Sequence, residues 1–343
     1  MSKPRVTQKM IAKELGITIT TVSKALKDYP DISAKTKEAV NALAREWNYL
    51  PDSQALALRS QHTRTIGLVI PEIVHYFFSN VIKGILRSSE ERGYQLLITL
   101  SRNDRELEEN QINLLYAQRV EGILISLANE TSDHTHLNFL KDRQVPVVMF
   151  DKVHPSYQCK KVVIDDFKGG YDATKHLIKQ GCTKIAHIRG PLNPQNSIGR
   201  FNGYLQALKD YGLSYDPNLI KVCKEVNFEE GLKFAEELLS ENSKIDGIFT
   251  VTDQVGVGAM KAAQKKGIKV PEELKIIGFS DSQIAQVSQP TLSTIHQPGF
   301  EIGLTAARIL IDEIEELDLE EESNPPAEYI LNTAVIARES TQK

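Results

Sequence analysis

The chain has 343 residues, with 41 Lys and Arg against 45 Asp and Glu, 41% hydrophobic residues and a net charge of −4. These values suit an ordinary soluble globular protein, and at about 100–200 residues per domain the length implies two or three domains. No apolar run approaches the roughly 18 residues of a membrane helix, which excludes a helical membrane span, and the N-terminal MSKPRVTQKMIAKELG lacks the apolar stretch of a secretory signal, which predicts a cytoplasmic protein.

The overall charge hides an asymmetry. Residues 1–64 carry eleven Lys and Arg and six Asp and Glu, a net of +5, which leaves −9 for the rest. A basic head on an acidic body points to a polyanion partner for the head. A solvated basic face is the alternative that charge alone leaves open. Cys159, Cys182 and Cys223 form no C-x-x-C pair and read as buried small residues in a reducing compartment.

Residues 6–47 predict three short helices. Thr7 can cap the first, because its hydroxyl accepts an unpaired N–H of the first turn. Met10, Ile11, Ala12 and Leu15 give it an apolar stripe. Gly16 suits the left-handed turn that ends it. Thr18 caps a second helix, Ile19–Lys27, with Val22, Ala25 and Leu26 facing inward. Pro30 breaks the chain, and Ser33 caps a third helix that runs through Val40 and Leu43 to Trp47.

Ala12, Gly16, Ile17 and Val22 have helix-turn-helix spacing, in which a small residue lets two helices cross and a glycine turns the chain between them. Such a unit presents the start of its second helix to the major groove. Ile19, Thr20, Ser23 and Lys24 stand there, with Thr18 and Thr21 placed for phosphates. Lys24 can donate to guanine O6/N7, Thr20 can bond a base edge, and Ile19 can meet a thymine methyl. A plain three-helix bundle is the alternative; the polar, basic outer face of the second helix favours DNA.

The stretch from Val6 to Pro51 resembles the headpiece of the LacI family of bacterial transcription regulators. The matching signals are Val6-Thr7, Ala12, Gly16-Ile17, Thr21-Val22-Ser23-Lys24, Ile32-Ser33, Thr36 and Asn48-Tyr49-x-Pro51. The resemblance extends to about residue 340. It implies that positions 19, 20 and 24 read bases, and it adds Thr7 and Tyr49 to the DNA-binding set. The family often has Arg where this chain has Lys24, so an operator sequence does not carry over. The implied partners are double-stranded operator DNA, a second copy of the chain in a homodimer, and a small-molecule effector.

The headpiece is thus assigned to 1–50 and a hinge to 51–63. The hinge, PDSQALALRS and the residues after it, is too short to be a stable helix alone in water. In the family the matching segment folds on the operator, and a leucine wedges into the minor groove. Leu58 falls on that leucine, with Leu56 beside it as a second candidate; a plain linker is the other reading of these residues.

From Thr65 apolar strands alternate with amphipathic helices. Strand-like runs are Ile66–Pro71, Gln95–Leu100, Gly122–Leu127, Val145–Asp151 and Lys161–Asp165. Lys184–Gly190, Ile220–Val226, Gly247–Asp253 and Lys275–Asp281 make a second set. This alternation implies two Rossmann-like α/β subdomains with parallel sheets covered on both faces. The resemblance implies a periplasmic-binding-protein type I body over 64–340, with three chain crossings. One subdomain is expected at about 64–163 plus 293–325, the other at about 164–292 plus 326–340.

In open parallel sheets ligands sit beyond the carboxyl ends of the strands. That rule selects Phe77 and Phe78 after the first strand, then Ser126 and Asp151. Asp151 begins Asp151-Lys152, where the family commonly has Asp-Arg. Ser197-x-x-Arg200-x-x-Gly203-Tyr204 is a strong family signature, and Arg200, read at the start of a helix, offers a fork of donors for carboxylate, phosphate or vicinal hydroxyls. Phe228 falls where relatives have an aromatic that flanks the effector. Thr252-Asp253 resembles the family's Asn-Asp, and Gly278-Phe279-Ser280-Asp281 resembles its Gly-Tyr/Phe-Asp-Asp/Asn; the resemblance thus adds Asp253, Ser280 and Asp281. Ser280 replaces a frequent effector-binding Asp, with Asp281 as a possible substitute. Each of these positions also has a structural reading, in core packing or in holding loop amides.

Two rival classes remain at the level of sequence. A periplasmic sugar-binding protein would share the body but not the basic head. An enzyme would need a catalytic constellation, and no P-loop, G-x-S-x-G, H-E-x-x-H or clustered metal spacing is present. No catalytic residue, metal or cofactor is therefore assigned. His75, His134 and His136 read as surface residues. Aromatic residues with Arg and Asp in the cleft suit a carbohydrate or sugar derivative, with a purine as runner-up.

Overall fold

The computed structural model describes residues 6–50, 62–241, 244–318 and 326–342. Leu56, Leu58 and the rest of 51–61 lie outside the described residues. The chain divides into two compact units, one ending at Thr63 and one starting at Arg64.

The first unit holds three helices, α1 (Gln8–Glu14), α2 (Ile19–Leu26) and α3 (Ala34–Glu46). Each begins at a hydroxyl cap. Thr7, Thr18 and Ser33 accept from the backbone N–H three residues on, at 3.3, 3.1 and 3.2 Å. Gly16 takes φ +63, a conformation that costs a side chain but not glycine, and so turns α1 into α2. Ile11, Ala12, Val22, Ala25, Val40 and Ala44 form the core, with Trp47 and Tyr49 packed against it.

The second unit contains two six-stranded sheets. The first has the order β11-β5-β4-β3-β1-β2, built from β1 (Thr65–Ile70), β2 (Gln95–Leu100), β3 (Ile123–Ile125), β4 (Val147–Phe150), β5 (Lys160–Ile164) and β11 (Glu328–Leu331). All its pairings are parallel. The second has the order β12-β10-β9-β8-β6-β7, from β6 (Ile185–Arg189), β7 (Ile220–Val222), β8 (Gly247–Thr250), β9 (Lys275–Ser280), β10 (Ser293–His296) and β12 (Ala334–Ile336). It is parallel except at its edge, where β12 runs antiparallel to β10. The apolar residues of the central strands are almost fully buried, each such side chain contributing about 1.5–3 kcal/mol.

The last part of the chain corrects the expected subdomain bounds. Ser293–His296 belongs to the second sheet, not the first, and Glu328–Leu331 belongs to the first, not the second. Residues 326–340, expected wholly in the second subdomain, hold two strands in different sheets. The chain therefore passes between sheets after β5, after β10 and between β11 and β12. These strands of three or four residues carry too little pattern to say which sheet each joins.

Between the strands run α4 (Tyr76–Glu91), α5 (Arg105–Ala117), α6 (Asn138–Asp142), α7 (Asp166–Lys179), α8 (Gln195–Asp210), α9 (Phe228–Glu241), α10 (Asp253–Lys265), α11 (Gln283–Val287) and α12 (Gly299–Asp318). The α7–α8 crossing depends on two glycines. A Cβ at Gly170 would stand 2.1 Å from the Arg200 carbonyl oxygen, and one at Gly203 would stand 2.1 Å from the Phe167 carbonyl oxygen. Backbone thus lies on backbone, and α8 is held in one position against α7. His136, expected at the surface, is buried and pairs with the equally buried Glu108 at 2.9 Å.

Candidate functional site

The start of α2 carries the nucleic-acid candidates. Ile19 is 44% exposed and Thr20 is exposed. Their position leaves them free for base edges and for a thymine methyl. Thr18 and Thr21 share a hydroxyl–hydroxyl bond of 2.9 Å while Thr18 caps the helix. Ser23 is half-buried. Lys24 is ion-paired with Asp31 of the loop before α3, and this contact holds the Asp31 carboxyl below the usual range. Thr7 serves as the cap of α1. Tyr49 packs on the head core, and its amide donates to the Ala44 carbonyl at 2.8 Å.

The body has a cleft of about 370 Å³, within the roughly 300–1,000 Å³ of small-molecule sites. Its walls are the loops that follow the carboxyl ends of β1, β2, β3 and β4 on one side and of β6, β7, β8, β9 and β10 on the other. Several of these loops turn through left-handed backbone. Asn103, Asp151, Val226 and Ser280 line the cleft with φ of +61, +58, +52 and +110. A positive φ is costly for a β-branched valine, and such strain concentrates at functional sites. The Val226 turn is held by the Glu230 carboxylate, which accepts from the amides of Lys224, Glu225 and Val226 at 3.2, 2.8 and 3.1 Å.

Of the residues selected from sequence, Phe77, Phe78, Asp151, Arg200, Asp253 and Ser280 line this cleft together. Phe77 and Phe78 meet edge to face at 5.2 Å, with Phe78 buried and Phe77 half-buried. Arg200 lies in the second turn of α8, not at its start, because the helix begins at Gln195. Its Nε donates to Asp166 at 2.8 Å and its Nη1 to the Val251 carbonyl at 2.9 Å. Burial pushes the Asp166 carboxyl up to about 6, against the pull of Arg200. Asp253 is fully engaged. One oxygen accepts from the Ser282 amide and hydroxyl at 2.6 and 2.8 Å, the other from the Thr294 hydroxyl at 2.5 Å, and burial raises it to about 6. It braces the wall rather than offering a free acceptor.

Ser126, Phe228 and Asp281 stand outside the lining. Ser126 lies behind Asp151 and donates to it at 3.2 Å. Phe228 opens α9 after the Val226 turn, which puts Glu225 and Val226 at the cleft instead. Asp281 follows Ser280 in left-handed backbone, φ +54, and is taken by Arg338 and by His296. Sequence reasoning passed over Lys152, Asn103, Asn129 and Asn196. Lys152 donates to the side-chain oxygens of Asn103 at 2.9 Å and Asn129 at 2.7 Å. Burial pulls its ammonium down to about 8, against the pull of Asp151, Glu72 and Glu108. Asn196 donates to Asp151 at 3.2 Å. The signal for Lys152 was its place after β4; the asparagines stand in loops without periodicity.

Among the described residues no group of three or more His, Cys, Asp or Glu side chains could hold a metal ion, and no helix is long and apolar enough to cross a membrane.

The profile of bacterial regulatory proteins of the lacI family matches residues 7–52. That of periplasmic binding proteins and the sugar binding domain of the LacI family matches 63–333. The HTH-type transcriptional repressor PurR of Vibrio atlanticus is 32% identical over 92% of this chain and 93% of its own. The HTH-type transcriptional regulator DegA of Bacillus subtilis is 35% identical over 85% of this chain and 87% of its own. The structure of the transcriptional regulator CelR in complex with cellobiose superposes with a TM-score of 0.74 at 28% identity, covering 98% of this chain and all of that one.

Proposed function

The chain belongs to the LacI family of bacterial regulatory proteins, and we propose that within this family of DNA-binding regulators it is a repressor controlled by a small polar effector bound in the cleft. The head contacts operator DNA through Thr7, Thr18, Ile19, Thr20, Thr21, Ser23, Lys24 and Tyr49. Two copies of the chain, related by a two-fold axis, bind the two halves of a pseudo-palindromic operator. Leu58, outside the described residues, wedges in the minor groove. The protein acts in the cytoplasm and catalyses no reaction.

The observation that carries the effector half is the convergence of strained turns and buried polar groups on one cleft, whose lining includes Arg200, Phe77 and Phe78. Aromatic faces with a donor fork suit a carbohydrate or sugar derivative. Cellobiose, named with the similar CelR, has that chemistry. Selection of binding sites from random duplex DNA tests the whole reading. Recovery of an inverted repeat, bound less or more tightly when a sugar raises the melting temperature, is expected. Recovery of no sequence, or of a repeat whose affinity no stabilising compound alters, contradicts it.

A further inference from the structure

We propose that the second sheet carries a ligand site outside the cleft, at Arg189, which takes a small oxyanion, a carboxylate or a phosphate group. This goes beyond the reading of the cleft and does not rest on it.

Arg189 is the last residue of β6. The next residue, Gly190, lines the cleft, but Arg189 does not. Arg189 is 7% exposed, and its guanidinium lies 4.2 Å from the centre of the Phe201 ring on α8. Phe201 in turn meets the exposed Tyr215 edge to face at 6.5 Å. A ring face answers part of the charge but leaves the in-plane N–H donors of the fork unused. Among the described residues none makes a hydrogen bond or ion pair with the side-chain nitrogens of Arg189. Nε is fully buried, whereas Nη1 and Nη2 keep some surface, so the outer edge of the fork is open.

The other buried cations of the body are answered. Arg200 has Asp166 at 2.8 Å, Lys160 has Glu313 at 3.3 Å, and Lys152 has Asn103 and Asn129. No carboxylate acts on Arg189; the ionisable group that does is the Tyr215 phenol, which is neutral at pH 7. His187, two residues earlier on the same face of β6, gives its Nδ1–H to the Phe249 carbonyl at 2.9 Å. Burial pulls that imidazole down to about 3, so it adds no charge. A buried guanidinium without an anion is costly, and its planar fork matches the paired oxygens of a carboxylate or a phosphate.

The test uses the full-length protein with isotope-labelled arginine, read at the Nε–H signals by NMR. The Arg189 signal is the one missing from both Arg189→Lys and Arg189→Met. Inorganic phosphate and acetate are titrated at constant ionic strength, with chloride as the balancing ion. At least one of them is expected to shift the Arg189 signal along a saturating curve. Saturation with phosphate alone assigns a phosphate, with acetate alone a carboxylate, and with both a site for either oxyanion. No shift, or a shift that grows linearly without saturating, overturns the proposal. Melting temperatures give a second arm. The wild type should be stabilised by the anion that saturates, and Arg189→Lys, which keeps the charge but not the fork, should bind it about tenfold more weakly. Arg189→Met, which keeps an apolar chain against Phe201, should lose this stabilisation. A stabilisation in Arg189→Met equal to that of the wild type would place the anion elsewhere and overturn the assignment.

Discussion

The Nε of Arg200 donates to the Asp166 carboxylate at 2.8 Å while the guanidinium lies 3.6 Å above the ring of Phe279. The arginine is therefore fixed by an ion pair and by an aromatic face before any ligand arrives. Fixing a side chain in advance reduces the entropy lost on binding. Arg200→Ala is expected to leave operator binding unchanged without effector and to abolish the response to it. Operator titrations with and without a stabilising sugar check this.

The position of that arginine depends on α7. Gly170→Ala puts a methyl 2.1 Å from the Arg200 carbonyl oxygen, and backbone cannot yield as a side chain tip does. A loss of about 1–3 kcal/mol in stability is expected from such overpacking, together with weaker effector binding. Urea unfolding and ligand titration of the same variant measure both. Wild-type stability in the variant would show that α7 and α8 separate freely.

In the head, Lys24 must leave or share Asp31 to reach DNA. Lys24→Ala should reduce discrimination between operator and random DNA by about 1–3 kcal/mol if it reads a guanine. Equal weakening on both DNAs would make it a phosphate contact. Thr18→Ala removes the cap of α2 and should lower the protection of its amides against hydrogen exchange by about 0.5–2 kcal/mol.

Asp253 gives a pH signature. Burial raises its carboxyl from the ordinary 3.8 to about 6, so the folded state holds the proton more tightly than the unfolded chain. The stability this provides is complete below pH 4 and is lost as pH rises through 6. Asp253→Asn has no such dependence. Denaturation at pH 4 and pH 6.5 should therefore show the difference between variant and wild type moving in favour of the variant at the higher pH. A difference that stays constant would mean that Asp253 ionises normally.

Much of this was legible in the sequence where a pattern is repeated or a cap is local. Thr7, Thr18 and Ser33 begin the helices they were expected to begin, because capping needs only the next three residues. The long apolar strands were equally plain. Ser293–His296 and Glu328–Leu331 were exchanged between subdomains, since sheet membership of a four-residue strand depends on distant chain. Asp281 was selected from the family motif at Gly278-Phe279-Ser280-Asp281 as a substitute for the acceptor missing at Ser280, but two successive left-handed residues, Ser280 and Asp281, direct it to Arg338. Lys152 was noted only as a departure from Asp-Arg; its burial between two asparagines arises from three separate loops.

The most direct measurement of the central claim is reciprocal linkage between operator and effector. A selected inverted repeat, titrated with full-length protein at rising concentrations of glucose, glucuronate and glucose 6-phosphate, is expected to change affinity with at least one of them. The operator must then change the affinity for that compound by the same factor, and Arg200→Ala must lose the effect. An operator affinity unchanged by every compound that stabilises the protein, or an Arg200→Ala response at the wild-type concentration, would contradict control through this cleft.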